Sequence, residues 1–167
     1  VISQVYGGGG NTGATLKNDF IELYNRGTSP VSLNGWSVQY QSATGTTMWA
    51  STPLTNVTLN PGQYFLIQEA SGGEIGSTLP AADATGTINL SGVTGKVALC
   101  NIATALPNGQ YATGTGTNII DFVGFGTTAN GYEGTSYAPA PSYTTSVIRA
   151  SGGCTDTNVN SADFSTG

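Results

Sequence analysis

Apolar and polar positions along the chain alternate at period two in short runs. In WSVQYQS (36–42), Trp36, Val38 and Tyr40 fall on one side, and Ser37, Gln39 and Gln41 on the other. In KVALCN (96–101), Val97 and Leu99 oppose Ala98 and Cys100. In QYFLIQE (63–69), Phe65 and Ile67 oppose Tyr64, Leu66 and Gln68, so both faces read as covered. Side chains on a strand point to opposite faces in turn, so each run predicts a strand with one face toward a core. VISQVY (1–6), DFIELYN (19–25), IIDFVGF (119–125) and TSVIRA (145–150) are further strands on the same grounds. TTMW (46–49), NVTL (56–59) and TINL (87–90) are shorter candidates. No stretch holds apolar residues at helical spacing over three turns.

Turn chemistry separates the runs. Asn34–Gly35 is a tight-turn signal before Trp36. Pro61–Gly62 presets φ and then supplies a permissive residue, which predicts a turn into the next strand. Gly7–Gly10 predicts the start of an exposed loop reaching residue 18, and the Gly/Thr stretch from Leu106 to Thr117 a loop or hairpin tip. YAPAPSY (137–143) reads as an extended connector. Short strands at short intervals predict an all-β fold, an antiparallel β-sandwich or barrel of about eight to ten strands. No fixed-period repeat or composition break divides residues 1–167, so one domain is expected.

Composition narrows the function classes. Charged residues make up 8% of the 167, where about 25% is ordinary. The four basic residues, Lys17, Arg26, Lys96 and Arg149, are scattered against nine acids, for a net charge of −5. Nucleic-acid affinity comes mainly from phosphate neutralisation, and this set builds no basic patch. No apolar run reaches the length of a membrane span. A charge-poor make-up rich in Gly, Thr, Ser and Asn accords with a secreted β protein, and an extracellular or cell-surface location is expected.

Without histidine, the usual base of a Ser or Cys nucleophile is missing. Asp19, Glu22, Asp121 and Glu133 could supply paired carboxylates for glycoside chemistry. Glu22 and Asp121, however, lie inside apolar strands, where a carboxylate needs a cation or backbone donors. Arg149 is the natural partner for one of them, and the expected structural ion pair is Glu22–Arg149. No catalytic residue is assigned.

Three other features admit two readings each. Cys100 and Cys154 are either free thiols or one disulfide, and a secreted chain favours the disulfide, worth about 4 kcal/mol for a loop of this length. Trp36 is expected in the core, whereas Trp49, in a Thr/Ser-rich segment, is the candidate exposed aromatic for a carbohydrate ligand. Near the end, Asp156, Asn158 and Asn160 follow the alternating spacing that opens many calcium loops, with Asp163 adding a carboxylate. The sixth position is Ser161 rather than Gly, and the twelfth is Gly167 rather than Glu. The cluster is then either a weak calcium site or a turn held by Asx side chains, with Phe164 plugging into the core. No cofactor is required, and calcium is the only candidate.

The string DFIELYNRGTSPVSLNGWSV resembles the opening of the lamin-tail domain. The family's acidic-hydrophobic strand ending in Tyr-Asn matches Asp19–Asn25, its V-x-L-x-G-W strand matches Val31–Val38, and its L-x-P-G-x-(Y/F) turn and strand match Leu59–Ile67. IIDFVGFGTTANGYEGTSYAPAP, TTSVIR and CTDTNVNSADF are similar to the C-terminal half of bacterial secreted members. The resemblance implies an immunoglobulin-like antiparallel β-sandwich with no shared catalytic residues. It also implies a module that binds a protein or surface partner, or sits beside secreted nucleases and phosphatases. A self-associating surface or fibre subunit is the competing reading, since unpaired strand edges can pair between copies.

Overall fold

The computed structural model describes residues 1–107 and 114–167. The middle of the Leu106–Thr117 stretch, residues 108–113, lies outside the described residues. Twelve strands are present among them: β1 (Ile2–Tyr6), β2 (Phe20–Tyr24), β3 (Val31–Ser32), β4 (Ser37–Gln41), β5 (Ala50–Pro53), β6 (Thr58–Leu59), β7 (Tyr64–Gln68), β8 (Ala84–Thr85), β9 (Gly95–Cys100), β10 (Ile119–Phe125), β11 (Val147–Arg149) and β12 (Phe164–Thr166). A 3-10 turn at Ser151–Gly153 and one helical turn at Asn160–Asp163 complete the set. β3, β6 and β8 have only two residues each; NVTL anticipates β6, and alternation does not reveal the other two.

The strands form a six-stranded sheet in the order β12-β11-β1-β2-β7-β8, a four-stranded sheet in the order β10-β9-β4-β5, and the small pair β3-β6. All pairings are antiparallel except β7–β8, which is parallel. The seven longer predicted strands are all present. TTMW and TINL are not strands; β5 begins just after the first, and β8 lies just before the second.

The two larger sheets face each other across the main core. Ile2, Val5, Ile21, Leu23, Phe65, Ile67 and Val147 meet Val38, Val97, Leu99, Val123 and Phe125. Each such side chain, fully buried, contributes roughly 1.5–3 kcal/mol. Alternation along β9 places Ala98 and Cys100 on the opposite face, in a second cluster with Trp49, Leu106 and Phe122. Gln39 shares that outer face, donating to Ser37 Oγ and the Thr104 carbonyl and accepting from Leu106 N–H at 2.7 Å. It thereby fastens the 102–107 segment over the sheet.

The glycine run at 7–10 is buried, and the loop it leads into is exposed at Thr12, Gly13 and Thr15. A Cβ on Gly9 would come within 2.1 Å of the Asn18 carbonyl carbon. Asp19, buried beside it, accepts Gly9 N–H and Leu90 N–H at 2.8 Å each, tying two loops to the start of β2. Burial pushes the Asp19 carboxyl up to about 7. The glycines are needed because backbone packs on backbone there.

Candidate functional site

Along β11, Val147 and Arg149 point inward while Ile148 points outward. A guanidinium is thereby carried into the protein with no exposed surface. Its five donors are consumed by fixed acceptors. Nε donates to the Ile2 carbonyl at 2.8 Å, and Nη2 donates to both oxygens of Asp121 at 2.8 Å. Nη1 donates to the Thr155 carbonyl at 3.2 Å and to Asp156 Oδ1 at 3.0 Å. Asp163 Oδ2 lies 3.7 Å away, and the guanidinium stacks over the Phe164 ring, 4.5 Å from its centroid.

This corrects the expected ion pair. The partner of Arg149 is Asp121, not Glu22. Ile21 and Leu23 face the core, so the period of two turns Glu22 to the opposite surface of the sheet. There it accepts Ser3 Oγ at 2.7 Å. Asp121 sits on β10 and also accepts N–H bonds from Ile2 at 2.5 Å and Phe122 at 2.9 Å. Burial pushes its carboxyl up, and the guanidinium and Ile2 N–H pull it back. Two faces of one strand can be told apart from sequence; which carboxylate faces Arg149 across the sandwich depends on how the sheets stack.

The terminal Asp/Asn cluster is divided among different partners. Asp156 is shared between Arg149 and Arg26, the latter at 2.9 Å. Asp163 is fully buried and accepts Thr157 N–H at 2.9 Å, Thr157 Oγ1–H at 2.7 Å and Val159 N–H at 3.2 Å, closing a local Asx-type turn. Asn158 adopts a left-handed conformation at φ 56° and faces solvent. Asn160 is bonded to β10 and to Glu133, whose carboxylate its Nδ2 reaches at 3.3 Å. Its Oδ1 accepts Gly124 N–H at 2.9 Å and Glu133 N–H at 3.1 Å, and its Nδ2 donates to the Phe122 carbonyl at 3.0 Å. The side chain thus satisfies the open edge of β10 as a neighbouring strand would. Asp156, Asn160 and Asp163 are thus each bonded to partners outside the four, and Phe164 is buried against the main core.

A different carboxylate group comes together instead. Asp121, Glu133 and Asp156 each bring an oxygen within 4.8 Å of the others. These are the described residues that could hold a metal ion, but Arg149 already lies between Asp121 and Asp156 as their counter-charge. Burial pushes the Glu133 carboxyl up to about 8, with the nearby charges of Asp121 and Asp156 acting in the same direction.

The disulfide expectation is also corrected. Both cysteines are free: Cys100 is buried in the second apolar cluster, and Cys154 is exposed after the 3-10 turn, its Sγ 3.7 Å from the Tyr24 hydroxyl. Burial pushes the Cys100 thiol up to about 12. Trp49 likewise departs from expectation. It is 2% exposed, edge-on to Phe122 at 5.7 Å, with Lys96 Nζ 5.7 Å from its centroid. Its neighbour Met48 is the exposed side chain, and Trp36 is only half-buried at one end of the sandwich.

Sequence reasoning missed Asn160 as the cap of β10. Nothing local marks it, because its partners are backbone groups 27 to 38 residues away. No described helix is long and apolar enough to cross a membrane. A search among curated proteins finds no match. The family model described as Lamin Tail Domain matches residues 1–127. Together with the β-sandwich and the ordered motifs at Asp19–Asn25, Val31–Val38 and Leu59–Ile67, that match establishes that the chain belongs to the lamin-tail domain family.

Proposed function

We propose that the chain is a non-catalytic extracellular module that attaches to a protein or surface partner. One observation carries this reading: five of the nine carboxylates are spent on the scaffold. Asp19 and Glu69 hold backbone N–H groups of the loops around them, Asp121 and Asp156 neutralise Arg149, and Asp163 closes a turn. Family membership and the lack of histidine point the same way. The low charge and the Gly/Thr/Ser/Asn-rich composition support an extracellular setting.

The test has two arms. Purified protein is incubated with chromogenic phosphate, nucleic-acid, glycoside and ester substrates, and no turnover is expected. Fluorescently labelled protein is titrated onto isolated cell envelopes, and saturable binding is expected. Turnover that disappears in a folded Asp19→Asn or Glu133→Gln variant would overturn the non-catalytic reading. Binding that never saturates would overturn the attachment reading.

A further inference from the structure

The outer surface of the six-stranded sheet carries a cavity of about 260 Å³, whose lining includes Ser3, Gln4, Glu22, Tyr64, Gly152 and the fully buried Arg149. A bulge in β1 builds it. Ile2 and Val5 both face the core, and the register shifts between Ile2 and Gln4, so Ser3 and Gln4 reach the outer side together. Gln4 then lies opposite both Glu22 on β2 and Ile148 on β11. Tyr64 forms one wall. It is 49% exposed, leans on Tyr24 with ring centroids 4.6 Å apart, and donates its hydroxyl to the Gly152 carbonyl at 2.8 Å.

The hydrogen-bonding groups of this cavity are unbalanced. Most of its side-chain donors are used: Ser3 Oγ on Glu22, one N–H of Gln4 Nε2 on Ser146 Oγ at 2.6 Å, and Tyr64 Oη on Gly152. Arg149, at the floor, has every nitrogen engaged. Two of the acceptors are not used. Glu22 Oε2 and Gln4 Oε1 accept no hydrogen bond from the described residues, and no described cation pairs with Glu22. A site with an unneutralised carboxylate, a second acceptor and an exposed aromatic face, on a chain of net charge −5, is complementary to a planar, donor-rich cation. A guanidinium meets all three requirements, forking onto the two oxygens while stacking on the ring.

From this complementarity we infer that the cavity receives an arginine side chain of a protein partner. The inference rests on the attachment reading above and names the chemistry of its contact. The full chain, labelled with 15N, is titrated with acetyl-Gly-Arg-Gly-amide, with the citrulline peptide as a neutral isostere and cellobiose as a neutral sugar. The arginine peptide shifts the amides of Glu22, Tyr64, Gly152 and Gly153, and the citrulline peptide leaves them in place. Glu22→Gln, checked for fold by spectral dispersion, weakens binding by about tenfold through loss of one charge-assisted pair. Tyr64→Ala weakens it further in the double variant. Equal shifts with citrulline, unchanged affinity in folded Glu22→Gln, no shift at any peptide concentration, or shifts with cellobiose alone would each overturn the inference. Envelope binding by wild type and Glu22→Gln, measured alongside, separates the two claims. Saturable binding that Glu22→Gln retains removes only this cavity; loss of saturable binding in the wild type removes the attachment reading itself.

Discussion

Residues 1–127, which the family model matches, and residues 128–167, which lie beyond the match, are held by different forces. In the main core, every buried apolar member except Ala138, Val147 and Phe164 comes from the first segment. In the second segment five buried side chains are polar, Glu133, Ser146, Arg149, Asn160 and Asp163, beside the apolar Ala129, Ala138, Val147 and Phe164. Apolar contact is non-directional and tolerates small shifts, whereas a buried hydrogen bond demands its partner at a fixed place. The first segment therefore makes the sandwich, and the second is held to it through specific atoms. Arg149 ties β11 to β10 and to the turn at 155–156, and Asn160 covers the edge of β10. The region that looks most like a solvent-facing tail in sequence is in fact a clamp.

The sharpest way to break this comparison is to remove the guanidinium. Arg149→Met leaves Asp121 and Asp163 buried without their guanidinium, and a loss of about 3–5 kcal/mol is expected. Urea unfolding followed by tryptophan fluorescence measures it. Leu99→Ala, a cavity in the first segment, belongs in the same range, about 2–5 kcal/mol. If Arg149→Met stays within about 0.5 kcal/mol of wild type, as a bland surface change would, the clamp is decorative and the two segments do not differ.

A second variant separates clamping from edge protection. Asn160→Ala orphans Gly124 N–H, Glu133 N–H and the Phe122 carbonyl, all buried. A cost of about 2–3 kcal/mol follows if part of that loss is recovered by relaxation or water. The uncovered β10 edge also becomes a template for pairing with another copy. Light scattering after size exclusion should show a concentration-dependent dimer in Asn160→Ala that the wild type lacks. A dimer in the wild type as well would mean that another edge, such as β12, associates regardless of the cap.

The difference between the segments also decides how much was legible in the sequence. Apolar periodicity is a local signal, so the strands rich in Val, Ile, Leu and Phe were readable, and so were both faces of β4 and β9. The polar clamp is non-local. Arg149 could be recognised as needing a carboxylate, yet Glu22 and Asp121 have the same strand context, and only sheet stacking distinguishes them. Trp49 misled for a related reason: its Thr/Ser-rich surroundings say nothing of the 102–107 segment that folds over the outer face of β9. The cysteines misled because a secreted composition is a correlation, and their neighbours, Phe122 for Cys100 and Tyr24 for Cys154, lie in different parts of the protein.

Stability against pH offers a finer comparison, because each segment buries a carboxyl with a raised pKa. Glu133 stands at about 8 against an ordinary 4.5, and Asp19 at about 7 against an ordinary 3.8. Between the ordinary and the raised values the folded chain holds a proton that the unfolded chain has released. More protons bound when folded means that stability falls as pH rises. The full contribution is present at pH below the ordinary values and is lost as pH climbs through 7 for Asp19 and 8 for Glu133. Urea midpoints taken across that window should therefore decline. Glu133→Gln should flatten the upper part of that decline, with a gain of about 1 kcal/mol at the alkaline end, and leave the part due to Asp19. A midpoint that rises with pH would show that the backbone N–H donors around Asp19 outweigh its burial.

The smallest effect comes from the thiols, and it bears directly on how the second segment is attached. If only polar bonds and three apolar residues hold it, reduction should change nothing. Urea midpoints with and without dithiothreitol should coincide, and Cys154→Ser should stay within about 0.5 kcal/mol of wild type, as surface changes do. Reactivity should still distinguish the two sites. The exposed Cys154 titrates with a thiol reagent in the native protein, while Cys100, buried with its thiol pushed up to about 12, does so only after unfolding. One reactive thiol in buffer and two in denaturant is the expected result. No thiol in either, together with an intact mass lower by two hydrogens, would mean that a covalent bond pins the tail, and the contrast between apolar sandwich and polar clamp would lose its force.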